Sequence, residues 1–307
     1  MQTLPTVPSR TWLDPELYPF PTRRHTTPDG QLSYVDVGEG PPVVLIHGTP
    51  SWSFEWRAVI EGLAKTHRVL APDHLGFGLS DALGDAPGAP EDHARRLLHW
   101  FDALDLREVH VVLHDFGGPI GMPLVLERSE RVAGVALLNT WAWALGDRRD
   151  TAFLSRVVRS PLGYALYHWL NVSPRWLLPS TFHDQAHLTP DIHRHYLAPF
   201  TAERRRSAWL LGCALTGSDP FYATLDARLD ELADKRPLLL WGMHDPAFRP
   251  EELDRWRSRL RHAEVHELEA GHFPQEEVPD EVVAHLSGWL QRVPSAQPDV
   301  PRLVAGF

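Results

Sequence analysis

Apolar and polar positions along this chain follow two rhythms that alternate. Residues 32–37 alternate after the turn Pro28-Asp29-Gly30, which predicts an N-terminal hairpin. Residues 42–47, 68–71, 108–113 and 132–138 are short, nearly unbroken apolar runs, the pattern of strands buried in a sheet. Over residues 91–104 and 117–127 the apolar positions instead recur three and four apart, as on helices packed against that sheet. Strand, helix and strand in succession predict a mostly parallel sheet with helices on both faces, an α/β architecture.

After residue 140 the rhythm changes. Residues 141–234 are Trp-, Leu- and Arg-rich helical stretches broken by Pro161, Pro174, Pro179, Pro190, Pro199 and Pro220, which predicts an inserted helical lid. Strand character resumes at 237–242 and 264–268, with helices expected at 251–260 and 280–290. The expected division is a core of residues 1–140 and 235–292, a cap of 141–234, and a surface tail of 293–307 marked by Pro294, Pro298 and Pro301.

Composition narrows the partners. The 307 residues carry a net charge of −10 with both signs interspersed, which argues against nucleic acid; Arg204-Arg205-Arg206 reads as a solvated helix face. Residues 1–22 have neither a basic start with an apolar centre nor an apolar run of about 18 residues, so neither secretion nor a membrane partner is expected. Cys213 is the one cysteine, which permits no internal disulfide and suits a reducing cytoplasm.

Candidate chemistry gathers at the carboxyl ends of the expected strands, which converge on a cleft in open α/β sheets. Asp115, in Val111-Val112-Leu113-His114-Asp115-Phe116-Gly117-Gly118, stands at a strand-to-helix turn. Such an elbow holds its apical residue in a strained conformation and needs small neighbours, which Gly117 and Gly118 supply. The plain alternative is that Asp115 N-caps the helix, since Asp is a favoured cap. Asp245 follows the run at 237–242, and His272 follows the last strand in Gly271-His272-Phe273. Taken singly, each is a common loop residue. Their order after Asp115, nucleophile then acid then histidine, is that of the α/β-hydrolase triad and predicts that the three work together. An acid after the strand ending near 138 is the alternative, but Asn139 cannot supply a carboxylate to fix an imidazolium. In His47-Gly48-Thr49-Pro50 the glycine permits close approach, and the amides of Thr49 and Phe116 are expected to face the cavity and stabilise negative charge. The stretch Asp73-His74-Leu75-Gly76-Phe77-Gly78-Leu79-Ser80 lacks a dinucleotide fingerprint and a phosphate-loop lysine, and is assigned a loop-shaping role.

Together with Leu138-Asn139-Thr140-Trp141 and Gly271-His272-Phe273-Pro274, these motifs resemble those of haloalkane dehalogenases over roughly residues 20–290. The resemblance is to the branch with its acid after the later strand, which is also similar to enzymes acting on β-lactones in olefin biosynthesis. It implies the α/β-hydrolase fold with a cap. It further implies that Asp115 displaces a leaving group from an sp³ carbon to form an alkyl ester, which water activated by His272, oriented by Asp245, hydrolyses. No metal or organic cofactor is implied. The expected partner is a small apolar electrophilic substrate, and the expected state a monomer or homodimer.

Two positions depart from that family's pattern. Its members typically follow the nucleophile with a tryptophan whose indole N–H holds the departing halide, helped by a second donor, often an asparagine in the loop after the third strand. Here those positions are Phe116 and Thr49. Phenylalanine has no donor, and a hydrogen bond to a charged group is worth roughly 1.5–3 kcal/mol, so a weaker halide grip is expected. Trp141, Trp143, Trp169 and Trp176 are candidate replacement donors, set against the plainer reading that they pack a core. Besides a hydrolase acting on haloalkanes, lactones, esters or other small electrophiles, two readings stay open. An epoxide hydrolase would need two lid tyrosines, drawn from Tyr164, Tyr167, Tyr196 and Tyr222; a non-catalytic ligand-binding protein would need no triad at all. His183, His187, His193 and His195 crowd the lid, but Pro190 divides them and no ligand motif surrounds them, so no metal is expected.

Overall fold

A computed structural model of the chain describes residues 11–292. The expected hairpin pairs β1 (Thr22–Thr27) with β2 (Gly30–Val37). Then follow β3 (Pro42–Ile46), α1 (Arg57–Leu63), β4 (Arg68–Pro72), α2 (Pro90–Ala103), β5 (Val109–Asp115), α3 (Gly117–Glu127) and β6 (Val132–Thr140). The expected lid stretch holds α4 (Arg149–Val158), α5 (Pro161–Leu170), the short α6 (Leu178–Ser180), α7 (Pro190–Leu197), α8 (Arg205–Gly217) and α9 (Asp219–Asp226). After this helical insertion come β7 (Leu238–Gly242), α10 (Pro250–Arg259), β8 (Glu264–Leu268), α11 (Pro274–Glu277) and α12 (Pro279–Arg292). The expected tail, 293–307, lies outside the described residues.

Among the described residues the strands form one eight-stranded sheet in the order β1-β2-β4-β3-β5-β6-β7-β8. β2 pairs antiparallel with β1 and β4, and every pairing from β4 to β8 is parallel. Parallel neighbours need long crossovers, and the helices between strands supply them while covering both faces. In β5 the two faces part within one apolar run: Val111 and Leu113 pack with Trp100 of α2 and Ile120 of α3, whereas Val112 packs with Ile60 of α1 and Leu286 of α12. An unbroken apolar strand is thus what a two-sided core requires. The sequence rhythm did not single out α1, a helix of seven residues too short to show its period clearly. β6 runs two residues past its expected end, to Thr140, which pairs with Asp115 of β5, while its pairing with β7 stops at Leu138. Among the described residues no helix is long and apolar enough to cross a membrane.

Candidate active site

β5 is buried along its whole length and leads almost directly into α3, so the reversal of the chain falls on Asp115, whose φ is 51°. Left-handed backbone costs a residue with a side chain on the order of 1–2 kcal/mol, and it persists where the surroundings over-determine it. Gly117 allows the turn, since a Cβ there would stand 2.3 Å from the Ile46 carbonyl oxygen. Gly48 allows the loop after β3 to cross the carboxylate, since its Cβ would stand 2.2 Å from Asp115 Oδ1. That crossing delivers the Thr49 amide, which donates to Asp115 Oδ1 at 2.8 Å. The donor expected to serve an anion therefore holds one oxygen of Asp115 itself. His47 fastens the loop: its Nδ1–H donates to the Gly48 carbonyl at 2.7 Å, and its Nε2 accepts from the His74 amide at 3.0 Å.

The other carboxylate oxygen, Asp115 Oδ2, lies 3.5 Å from His272 Nε2. His272 Nδ1–H donates to Asp245 Oδ2 at 2.7 Å. The structure thus brings together Asp115, Asp245 and His272, from the ends of β5, β7 and β8. Burial disfavours charge on His272, but the carboxylates of Asp245 and Asp115 outweigh it and hold the imidazole protonated up to about 10. Burial likewise opposes charge on Asp245; His272 and the backbone amides of Ala247 and Phe248 outweigh it and keep the carboxyl below its ordinary range.

Two supporting groups were not found from sequence. Asn139, weighed only as an alternative acid position, donates to Asp245 Oδ2 at 2.9 Å and to the Gly242 carbonyl at 3.0 Å, and accepts from the Gly242 amide at 2.8 Å. It fixes Asp245 from the neighbouring strand. His114 Nε2–H donates to the His272 carbonyl at 2.7 Å, and its Nδ1 meets Glu55 Oε1 at 3.0 Å. Ser51 donates to the other Glu55 oxygen. Glu55 and His114 are fully buried, and burial pushes the Glu55 carboxyl up against the opposing pull of His114 and Ser51. The available signal was a glutamate within the aromatic run Trp52-Ser53-Phe54-Glu55-Trp56, where an apolar residue would be expected. Asp73 does shape its loop, accepting from the amides of Ser53 at 2.8 Å and Leu79 at 2.7 Å.

Asp115, His272, Thr49 and Phe116 face a cavity of about 350 Å³, closed on the insertion side by residues such as Leu145, Tyr167 and Leu177. Its volume is at the small end of the usual range for organic ligands. Phe116 packs edge-to-face on Trp141, ring centroids 4.7 Å apart. The Thr49 hydroxyl is buried without a hydrogen-bond partner. Of the candidate tryptophans none lines the cavity: Trp141 and Trp143 are buried behind it and Trp169 and Trp176 are exposed. The tyrosines also separate. Tyr167 lines the cavity, its phenol pushed up by burial to about 12. Tyr222 donates to the Ala214 carbonyl at 3.0 Å, Tyr196 donates to Glu276, and Tyr164 stacks on His168. The lid histidines take unrelated partners: His183 stacks on His244, His193 meets the Pro174 carbonyl, and His195 accepts from the Asp14 amide. Among the described residues no three His, Cys, Asp or Glu side chains are grouped to hold a metal.

A mostly parallel sheet whose strand ends present a carboxylate, a histidine and a second carboxylate defines an enzyme of the α/β-hydrolase type. The alpha/beta hydrolase fold family matches residues 41–279. Haloalkane dehalogenase 2 of Mycobacterium tuberculosis is 37% identical over 277 residues, 89% of this chain and 96% of the relative. The cis-3-alkyl-4-alkyloxetan-2-one decarboxylase of Shewanella oneidensis is 31% identical over 88% of this chain and 89% of its own. A solved haloalkane dehalogenase from Agrobacterium tumefaciens superimposes with a TM-score of 0.80 at 27% identity, over 89% of this chain and 97% of that one. The chain belongs to the α/β-hydrolase family, within its haloalkane dehalogenase-like members.

Proposed function

We propose that this enzyme attacks a small apolar electrophile with Asp115, forming an alkyl ester that water activated by His272 then hydrolyses. The observation that carries this reading is the division of labour at Asp115: Oδ1 is held by the Thr49 amide at 2.8 Å, while Oδ2 faces the cavity beside His272. Oδ2 is the attacking atom. When water adds to the ester carbon, charge develops on Oδ1, where the Thr49 amide already sits to receive it. Esterification also removes the Asp115 charge, one of the two that keep His272 protonated, so the imidazole gives up its proton to solvent more readily and can serve as the base for the second step. Asp245, fixed by Asn139, keeps the ring oriented and stabilises the imidazolium that forms. Helices α4 to α9 act as the cap that closes the site, and no step requires a metal or organic cofactor. On its single cysteine we place the enzyme in the cytoplasm.

The leaving group sets a limit on the substrate. The Phe116 side chain offers no N–H, and the side-chain donor left without a partner beside Asp115 is the Thr49 hydroxyl. That favours a second reading within the same chemistry, a strained ring such as a lactone, whose leaving group stays tethered and needs no separate halide cradle. One curated relative acts, by its name, on alkyl oxetanones. An epoxide is less well served, because Tyr167 alone of the four tyrosines lines the cavity.

The test is a trap. His272→Phe keeps the nucleophile but removes the base, so incubation with bromoalkanes, epoxides and lactones, one at a time, is expected to leave a covalent adduct on Asp115, detected by mass spectrometry of the Asp115 peptide. Asp115→Ala is expected to abolish both adduct and turnover. Turnover that survives Asp115→Ala would overturn the mechanism.

A further inference from the structure

Among the described residues the exposed large hydrophobic side chains all lie within 153–177, on α4, α5 and the turn after them. Phe153 is 67% exposed, Trp169 72% and Trp176 50%. An apolar surface concentrated in this way marks an interaction site, unlike scattered exposed leucines. Two of these residues, Leu154 and Leu177, also line the catalytic cavity, so the apolar surface adjoins it.

The charge of the same stretch runs against that of the molecule. Residues 151–180 contain Arg156, Arg159 and Arg175, all exposed, and no Asp or Glu, in a chain of net charge −10. Arg175 lies over the Trp176 ring at 5.3 Å, so cation and aromatic face present a single surface. Helices that combine Trp, Phe and Leu with arginine on adjoining faces settle at the boundary between lipid headgroups and acyl chains. Tryptophan prefers that depth, and each arginine near an anionic leaflet adds attraction that salt weakens.

We propose that residues 151–180 dock this enzyme on the surface of an anionic lipid bilayer, with the cavity mouth turned toward the acyl layer. This departs from the absence of a membrane partner expected from the sequence: the protein lies on the membrane without spanning it. Docking would let an apolar substrate pass from the bilayer into the cavity without crossing water; that consequence rests on the substrate class proposed above, whereas docking itself does not.

Co-sedimentation with vesicles tests the proposal. The wild type is expected to bind phosphatidylcholine vesicles containing about a quarter phosphatidylglycerol, to leave them at high salt, and to ignore pure phosphatidylcholine. The double variants Trp169→Ser/Trp176→Ser and Arg156→Glu/Arg175→Glu are each expected to weaken binding roughly tenfold or more. Both should hydrolyse a water-soluble electrophile at the wild-type rate, since none of the four residues lines the cavity. Absence of vesicle binding by the wild type, or binding unchanged in both variants, would overturn the proposal. So would a wild-type dimer in sedimentation velocity that Trp169→Ser/Trp176→Ser dissociates, because a second copy would then cover the surface. Vesicle binding together with failure of every electrophile would remove the proposed chemistry and leave the docking surface standing.

Discussion

Among single residues, Phe116 is the one on which the leaving group of the proposed reaction turns. Its ring lines the cavity beside Asp115 and rests edge-on against Trp141. Phe116→Trp would place an indole at the cavity wall, where its N–H can reach a departing halide. Since a hydrogen bond to an anion is worth roughly 1.5–3 kcal/mol, kcat/KM for bromoalkanes is expected to rise about tenfold or more, with lactone turnover little changed. Steady-state halide release measures it, and an unchanged rate would show that the halide is held elsewhere. This single-residue feature was legible in the sequence because it depends on chain position next to Asp115. The unpartnered Thr49 hydroxyl was not, because whether a buried hydroxyl finds a partner depends on every element around it.

At the scale of elements, the site is a meeting of strand ends. Apolar runs and turn residues located β3, β5, β6, β7 and β8, and chain order alone aligned Asp115, Asp245 and His272. The brace between β6 and β7 was hidden. Asn139 and Asp245 are 106 positions apart in the chain, and their hydrogen bond exists because the two strands are neighbours in the sheet. Asn139→Ala leaves the buried amide and carbonyl of Gly242 without this partner and frees one side of Asp245. An orphaned buried polar group costs about 1–3 kcal/mol, so chemical denaturation should show a loss of roughly 2–4 kcal/mol. Turnover is expected to fall as well, because the acid that orients His272 loses a donor. Unaltered stability would mean that the strand ends hold their register without the side chain.

For the whole molecule, the charged centre couples stability to pH. In the folded protein His272 holds its proton up to about 10, against 6.5 for an unperturbed histidine. A group with a raised folded pKa contributes stability that is fully present below the unfolded value and fades as pH rises through the folded one. The melting temperature of the wild type relative to His272→Phe is therefore expected to be most favourable near pH 6 and to decline toward pH 10. A constant difference across that range would show that His272 is not held charged. Charge also has a whole-molecule pattern: in an acidic chain, residues 151–180 carry arginines, no Asp or Glu, and exposed aromatic side chains beside the cavity.

The sequence by itself determined the succession of strands and helices, the turn at Asp115 and the chain order of Asp115, Asp245 and His272. Those are encoded locally, in apolar spacing and in residue types that a turn requires. Only the tertiary structure decided that Tyr167 faces the cavity while Tyr164, Tyr196 and Tyr222 do not, that Asn139 and the Glu55–His114 pair stand behind the histidine, and that the tryptophans of the insertion divide between core and surface. Burial and convergence are set by contacts between segments far apart in the chain, and no local pattern carries that information.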